Sequence, residues 1–130
     1  MIVGVGIDLV EISRFDRILT GRNRRVIDRL FTPGEQAYCD AKASPAAHYA
    51  ARFAAKEAFF KALGTGLRGG LTWQDAEVVS DRFGRPALRP SGEGGRLCRS
   101  RGVDRIHLSL SHERATAAAT VILETTGETA

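Results

Sequence analysis

The chain opens on an alternation. In MIVGVGIDLV, Val3, Val5, Ile7 and Leu9 fall on one side and Gly4, Gly6 and Asp8 on the other, so the segment reads as a β-strand. Glycine weakens a strand interior, and two of them on the side that carries Asp8 indicate that packed backbone or a ligand comes close there, with Asp8 on a bare surface. From Ser13 the period changes: Phe15, Ile18 and Leu19 follow helical spacing and Gly21 ends the run. Val26, Ile27, Leu30 and Phe31 form a second short helical or irregular piece. Thr32-Pro33-Gly34-Glu35 combines a capping residue, proline at the first helical position and glutamate three after the cap, and so starts a helix that runs to about residue 41. Ser44-Pro45 repeats the start signal for a helix from Pro45 to Leu63, with Gly64 as its stop.

A glycine-rich stretch follows, then a strand over residues 73–80, a turn over 81–86, and a short helix capped by Ser91 and ended near Gly102. Two last strands, 105–111 and 115–124, are joined by His112-Glu113-Arg114 as a tight hairpin. This order predicts an α+β fold, a mainly antiparallel sheet packed with one long central helix, in a single domain over residues 1–130. With 130 residues, 43% hydrophobic and 26% charged, the chain has the composition of a folded protein, small enough for a neighbouring subunit to complete its core. No apolar run reaches membrane-span length and the start lacks the basic stretch of a signal peptide, so a cytoplasmic protein without a membrane partner is expected. Cys39 and Cys98 lack metal-ligand spacing and read as reduced, structural thiols. The net charge of +4 favours an anionic partner and leaves nucleic acid, a nucleotide or an acidic protein open.

The helix RFAAKEAFFKAL changes the picture. It is apolar on so wide a surface that burial on most sides is expected, yet it carries Arg52, Lys56, Glu57 and Lys61. At about 100° per residue, Glu57 and Lys61 share a side with Ala50, Ala54 and Ala58, whose small side chains leave room for a ligand. Glu57 with Lys61 also has the spacing of an ordinary ion pair, and Arg52 with Lys56 the spacing of a like-charge pair that an anion would relieve. Combined with Asp8 on its glycine-lined strand, Glu57 supplies a second hard oxygen ligand of the kind magnesium takes alongside phosphate oxygens and water. Lys61 adds positive charge for the same phosphates, an arrangement suited to phosphoryl transfer.

These residues carry a resemblance. GVGIDLVEISRF, RFAAKEAFFKALGTG, FGRP and HLSLSHE, in this order over nearly the whole chain, make it similar to the holo-acyl-carrier-protein synthases, a family of 4′-phosphopantetheinyl transferases of fatty acid synthesis. The resemblance implies that Asp8 and Glu57 hold magnesium. It implies that coenzyme A is the donor and a serine of acyl carrier protein the acceptor, with 3′,5′-ADP leaving. It implies that Lys61 contacts the phosphates and protonates the leaving one, and that Glu57, or a metal-bound water it orients, is the base. Arg52 and His112, with Ser111 beside it, are implied at the 3′-phosphate end of coenzyme A. Gly84, Arg85 and Pro86 are implied near the adenine, Gly64 at the coenzyme, and Arg14 at the acidic carrier protein. A homotrimer with sites between subunits is also implied. The competing reading is a basic nucleic-acid-binding domain built on Arg14, Arg17, Arg22, Arg24, Arg25 and Arg29. Phe15 and Phe31, the only aromatics among those arginines, sit at apolar-periodic positions, which leaves no stacking platform for bases and argues against a nucleic-acid partner.

Overall fold

A computed structural model describes residues 1–21 and 24–127. The elements run β1 (Ile2–Glu11), α1 (Ile12–Thr20), α2 (Arg25–Leu30), α3 (Pro33–Asp40), α4 (Pro45–Leu63), a 3-10 turn (Trp73–Asp75), β2 (Ala76–Ser80), β3 (Pro86–Pro90), α5 (Gly92–Ser100), β4 (Arg105–His112) and β5 (Thr116–Glu124). β1, β5 and β4 form an antiparallel sheet in that order, and β2 pairs antiparallel with β3 in a separate ribbon. The α+β architecture, the antiparallel pairing and the central helix are as predicted, with the strands divided between two sheets.

Helix α4 lies across the inner face of the three-stranded sheet, with α1, α3 and β2 on its other flanks. Its bounds match the sequence signals, and Gly64 ends it in the left-handed conformation at φ 75°. Ala50, Ala54 and Ala58 are completely buried. Their small side chains are therefore packed inside the chain and not open to a ligand, which corrects the expectation for that helix face. The strand glycines lie against the helix backbone. A Cβ added at Gly4 would stand 2.1 Å from the Ala62 carbonyl oxygen, and one at Gly6 1.9 Å from that of Ala58. Backbone, not ligand, makes the close approach, and Asp8 faces the helix instead of a bare surface, with its side chain 11% exposed.

Gly6→Ala is accordingly expected to cost about 3 kcal/mol or more of folding stability, since neither backbone can yield to the new methyl. A lower urea midpoint at unchanged slope would show this, whereas an unchanged midpoint would mean that β1 and α4 are not in contact there.

Because only the glycine side of β1 fits against α4, its apolar side is left outward. Val3, Val5, Ile7 and Leu9 are 42% to 67% exposed on the sheet face turned away from the helix. On the same face Ile122 of β5 pairs with Val5. A contiguous apolar strip of this kind is the mark of an interaction surface.

Local chemistry explains the remaining boundaries. At α3 the predicted capping box is complete: the Glu35 N–H donates to Thr32 Oγ1 at 3.2 Å and the Thr32 N–H to Glu35 Oε1 at 2.9 Å. The strand expected over 73–80 begins only at Ala76, because Asp75 accepts from the Thr72 N–H (3.2 Å) and hydroxyl (2.9 Å) and folds residues 73–75 into a turn. Neither Ser44 nor Ser91 makes the capping bond expected of it. At α5 the Asp75 carboxylate takes that place, accepting from the Gly94 N–H at 3.4 Å.

Candidate active site

Asp8, Glu57 and Lys61 come together where β1 crosses α4. The Lys61 ammonium donates to Asp8 Oδ1 at 2.8 Å and to the Ile7 carbonyl at 3.1 Å. Its partner is thus the strand aspartate and not Glu57, the ion-pair partner suggested by helix spacing alone. Asp8 Oδ2 is buried and accepts no hydrogen bond. Burial raises the Glu57 pKa above the ordinary carboxylate range, the neighbouring Asp8 carboxylate raises it further, and the charges of Lys61 and Arg14 oppose the rise. Lys61 is pushed up, chiefly by its hydrogen bond to Asp8, and stays a cation at any physiological pH.

Two depressions meet at Lys61. One, of about 270 Å³, is lined by Glu57, Phe60, Lys61, Gly66, Leu67 and Trp73. The other, of about 310 Å³, is lined by Ile7, Asp8, Leu9 and Lys61. Gly64 caps the helix just ahead of the first. Arg14, from α1, places its guanidinium 5.2 Å from the Phe53 ring.

Asp8 and Glu57 are the side chains here that could hold a divalent cation. Two adjacent carboxylates, one with a buried oxygen that accepts no hydrogen bond and the other with a raised pKa, are like charges that a dication would balance. Among the described residues no three or more acidic, histidine or cysteine side chains are grouped so that they could hold a metal ion by themselves. One or two protein carboxylates are what magnesium uses when substrate phosphates and water complete its shell.

Arg52 is only 4% exposed and lies over the Tyr38 ring of α3, its guanidinium carbon 3.9 Å from the ring centre. Ser111 and His112, exposed at the end of β4, border a groove with Leu9 and Thr116, and the His112 ring is 5.7 Å from that of His48. Gly84, Arg85 and Pro86 form the tip of the β2–β3 ribbon, where Gly84 has φ 80° and Asp81 Oδ1 accepts from the N–H of Phe83 (2.8 Å) and of Arg85 (2.9 Å). Sequence reasoning gave no role to His48 or Tyr38. The only signal was His48 as one more polar residue in an apolar helix.

Lys56, which the sequence left without a role, is internal. Its ammonium donates to Glu35 Oε1 (2.8 Å) and to the carbonyls of Trp73 and Ala76 (both 3.1 Å), and both charged side chains are completely buried. Glu35 Oε2 accepts from the Val78 N–H at 2.8 Å. Burial pulls the Lys56 pKa down, and Glu35 opposes it. The expected Arg52–Lys56 repulsion is therefore met by an acid within the chain for Lys56, while Arg52 turns to Tyr38. Of the arginine-rich segment, Arg24 is spent internally, donating to Asp40 (2.7 Å), Tyr49 (3.0 Å) and Gln36 (3.1 Å). Arg22 lies outside the described residues. Cys39 and Cys98 are free and buried, and burial pushes the Cys39 thiol up to about 12.

Known proteins share this arrangement of chain and fold. Residues 4–121 match the model of the 4′-phosphopantetheinyl transferase superfamily. A holo-[acyl-carrier-protein] synthase of Geotalea daltonii is 51% identical over 124 residues, 95% of this chain and 99% of the relative. The crystal structure of the holo-[acyl-carrier-protein] synthase from Neisseria meningitidis superposes with a TM-score of 0.86 at 34% identity, over 96% of this chain and 100% of that one. The corresponding enzyme of Bacillus anthracis, solved in complex with CoA (3′,5′-ADP), gives a TM-score of 0.78 at 34% identity, over 97% and 99%. With the family model matching residues 4–121 and relatives about half identical over 95% of its length, the chain belongs to the 4′-phosphopantetheinyl transferase superfamily.

Proposed function

We propose that this protein is a magnesium-dependent holo-acyl-carrier-protein synthase, a single transferase domain over residues 1–130. It moves 4′-phosphopantetheine from coenzyme A to a serine of apo acyl carrier protein, releasing 3′,5′-ADP, in cytoplasmic fatty acid biosynthesis. The observation that carries the reading is the Asp8–Lys61 pair beside Glu57, at 2.8 Å, in a chain whose relatives bear that name.

Asp8 and Glu57 would hold the magnesium ion, which supplies positive charge to the pyrophosphate oxygens. Glu57, whose pKa is raised by burial and by the neighbouring Asp8 carboxylate, accepts the proton of the attacking serine hydroxyl. The serine oxygen bonds to the β-phosphorus as the bond from that phosphorus to the bridging oxygen breaks, and the electron pair leaves with 3′,5′-ADP. Lys61, a cation held in place by Asp8 and Ile7, neutralises that charge and donates a proton to the leaving phosphate. Arg52, Ser111 and His112 serve the 3′-phosphate, Gly84, Arg85 and Pro86 the adenine, Gly64 the coenzyme beside Lys61, and Arg14 the carrier protein.

The reading includes a homotrimer whose sites form between subunits. The outward apolar strip of Val3, Val5, Ile7 and Leu9 is the surface suited to such an assembly. Incubation with coenzyme A, magnesium and apo acyl carrier protein is expected to add one phosphopantetheine mass to the carrier. No mass gain across a panel of apo carriers would reject the reading.

A further inference from the structure

Around the buried Arg52 the chain gathers several basic groups. The guanidinium of Arg52 lies 3.9 Å from the Tyr38 ring centre and the ammonium of Lys42 lies 4.4 Å from it. Tyr38 meets His48 edge to face at 6.0 Å, and His48 meets His112 in the same way at 5.7 Å. Contacts thus run unbroken from Arg52 through Tyr38 and His48 to His112, joining α3, α4 and the end of β4. Among the described residues, none of Lys42, Arg52, His48 and His112 forms an ion pair. Arg52 Nε is buried and has no hydrogen-bond partner, in a residue only 4% exposed. Asp16, Glu113 and Arg114 share a cavity of about 640 Å³ with His112, and Arg52, Lys42, Glu35 and Asp40 all act on Cys39, next to Tyr38.

The cluster is arranged for a compact anion. His48 is held below its ordinary range by burial first and then by the charges of Arg52, His112 and Lys42, a repulsion that a bound anion would reverse. We propose that His48 is a specificity-determining residue: with Arg52 and His112 it grips the terminal phosphate monoester of the coenzyme, and it does so as an imidazolium, so that binding takes up a proton. This rests on the coenzyme A reading and adds to it a group that makes recognition of the 3′-phosphate depend on pH. The sign follows from the cause. An anion beside His48 raises its pKa, so the gain in affinity is full below the pKa of the free protein and disappears as pH rises through that of the complex.

The test is calorimetric titration of the protein with coenzyme A and with 3′-dephospho-coenzyme A, in buffers of differing ionisation enthalpy so that proton uptake is counted. Wild type is expected to prefer coenzyme A, by a ratio that shrinks about tenfold between about pH 6 and about pH 8.5. His48→Gln and His48→Phe should each lose about tenfold in coenzyme A affinity at the lower pH and little at the higher, with less proton uptake and unchanged affinity for the dephosphorylated analogue. Titration of the phosphate itself is common to all three proteins and cancels. A wild-type ratio and proton count in both variants would overturn the proposal, as would equal loss of both ligands, which marks a structural role. Equal binding of both ligands by wild type overturns it while leaving the transferase reading in place. Failure to bind either ligand removes both.

Discussion

Asp8→Asn and Glu57→Gln are each expected to slow phosphopantetheine transfer by about a thousandfold, with the fold intact. Either change removes one of two adjacent carboxylate charges, and with it the attraction for a dication. Glu57→Gln also removes the proton acceptor, while Asp8→Asn loosens the hold on Lys61, now fixed at 2.8 Å. Stability separates this outcome from simple unfolding. Folding raises the Glu57 pKa above its ordinary 4.5, so the ionised form costs stability, fully so above the folded pKa. Glu57→Gln is therefore expected to melt no lower than wild type at neutral pH, and any advantage should vanish as pH falls through that range toward about 4.5. Normal turnover in either variant, read as the mass of the carrier protein, would reject the assignment of both acids.

The largest effect on stability is expected at a residue with no part in the chemistry. Lys56→Ala should cost about 3–5 kcal/mol, because it leaves the Glu35 carboxylate charged, buried and without its cation. The carbonyls of Trp73 and Ala76 lose a donor in the same step. Replacing both partners, as Lys56→Met with Glu35→Leu, should recover only part of the loss. Glu35 also accepts from the N–H groups of Thr32 and Val78, and these would remain buried and unpaired. Chemical denaturation with Trp73, the one tryptophan, as the fluorescent probe measures both proteins. A loss under about 1 kcal/mol in the single variant would mean that the pair is open to solvent.

Several features of the fold are local and were legible from residue order. Thr32 and Glu35 close their capping box within four residues, and Gly64 supplies the left-handed turn that ends α4, so those boundaries depend on little else. The start of β2 was not legible in this way, because it hangs on a side-chain bond from Asp75 that competes with strand formation at residues 73–75. Ser44 and Ser91 failed as caps for a related reason: the preference is statistical, and at α5 an acid from another turn does the work. The Asp8, Glu57 and Lys61 group was legible as a set of residue types. The sequence offered Lys61 a partner along its helix in Glu57, and only the fold shows it paired across to the strand with Asp8.

Residue order alone settled the types and extents of most elements and the chemistry available at 8, 57 and 61, since propensity, capping and charge are properties of neighbouring residues. Packing was needed to say which side of each element is inside. Alternation in β1 is the same whichever face is buried, and the glycine face went inward because α4 approaches to within a distance that no Cβ permits at Gly4 or Gly6. Lys56 and Arg52 share a helix face and a sign of charge, yet only the partners brought from other elements, Glu35 for one and Tyr38 for the other, separate an internal ion pair from a cation whose Nε has no partner. Those partners lie 21 and 14 residues away in the chain, beyond the reach of any rule of local spacing.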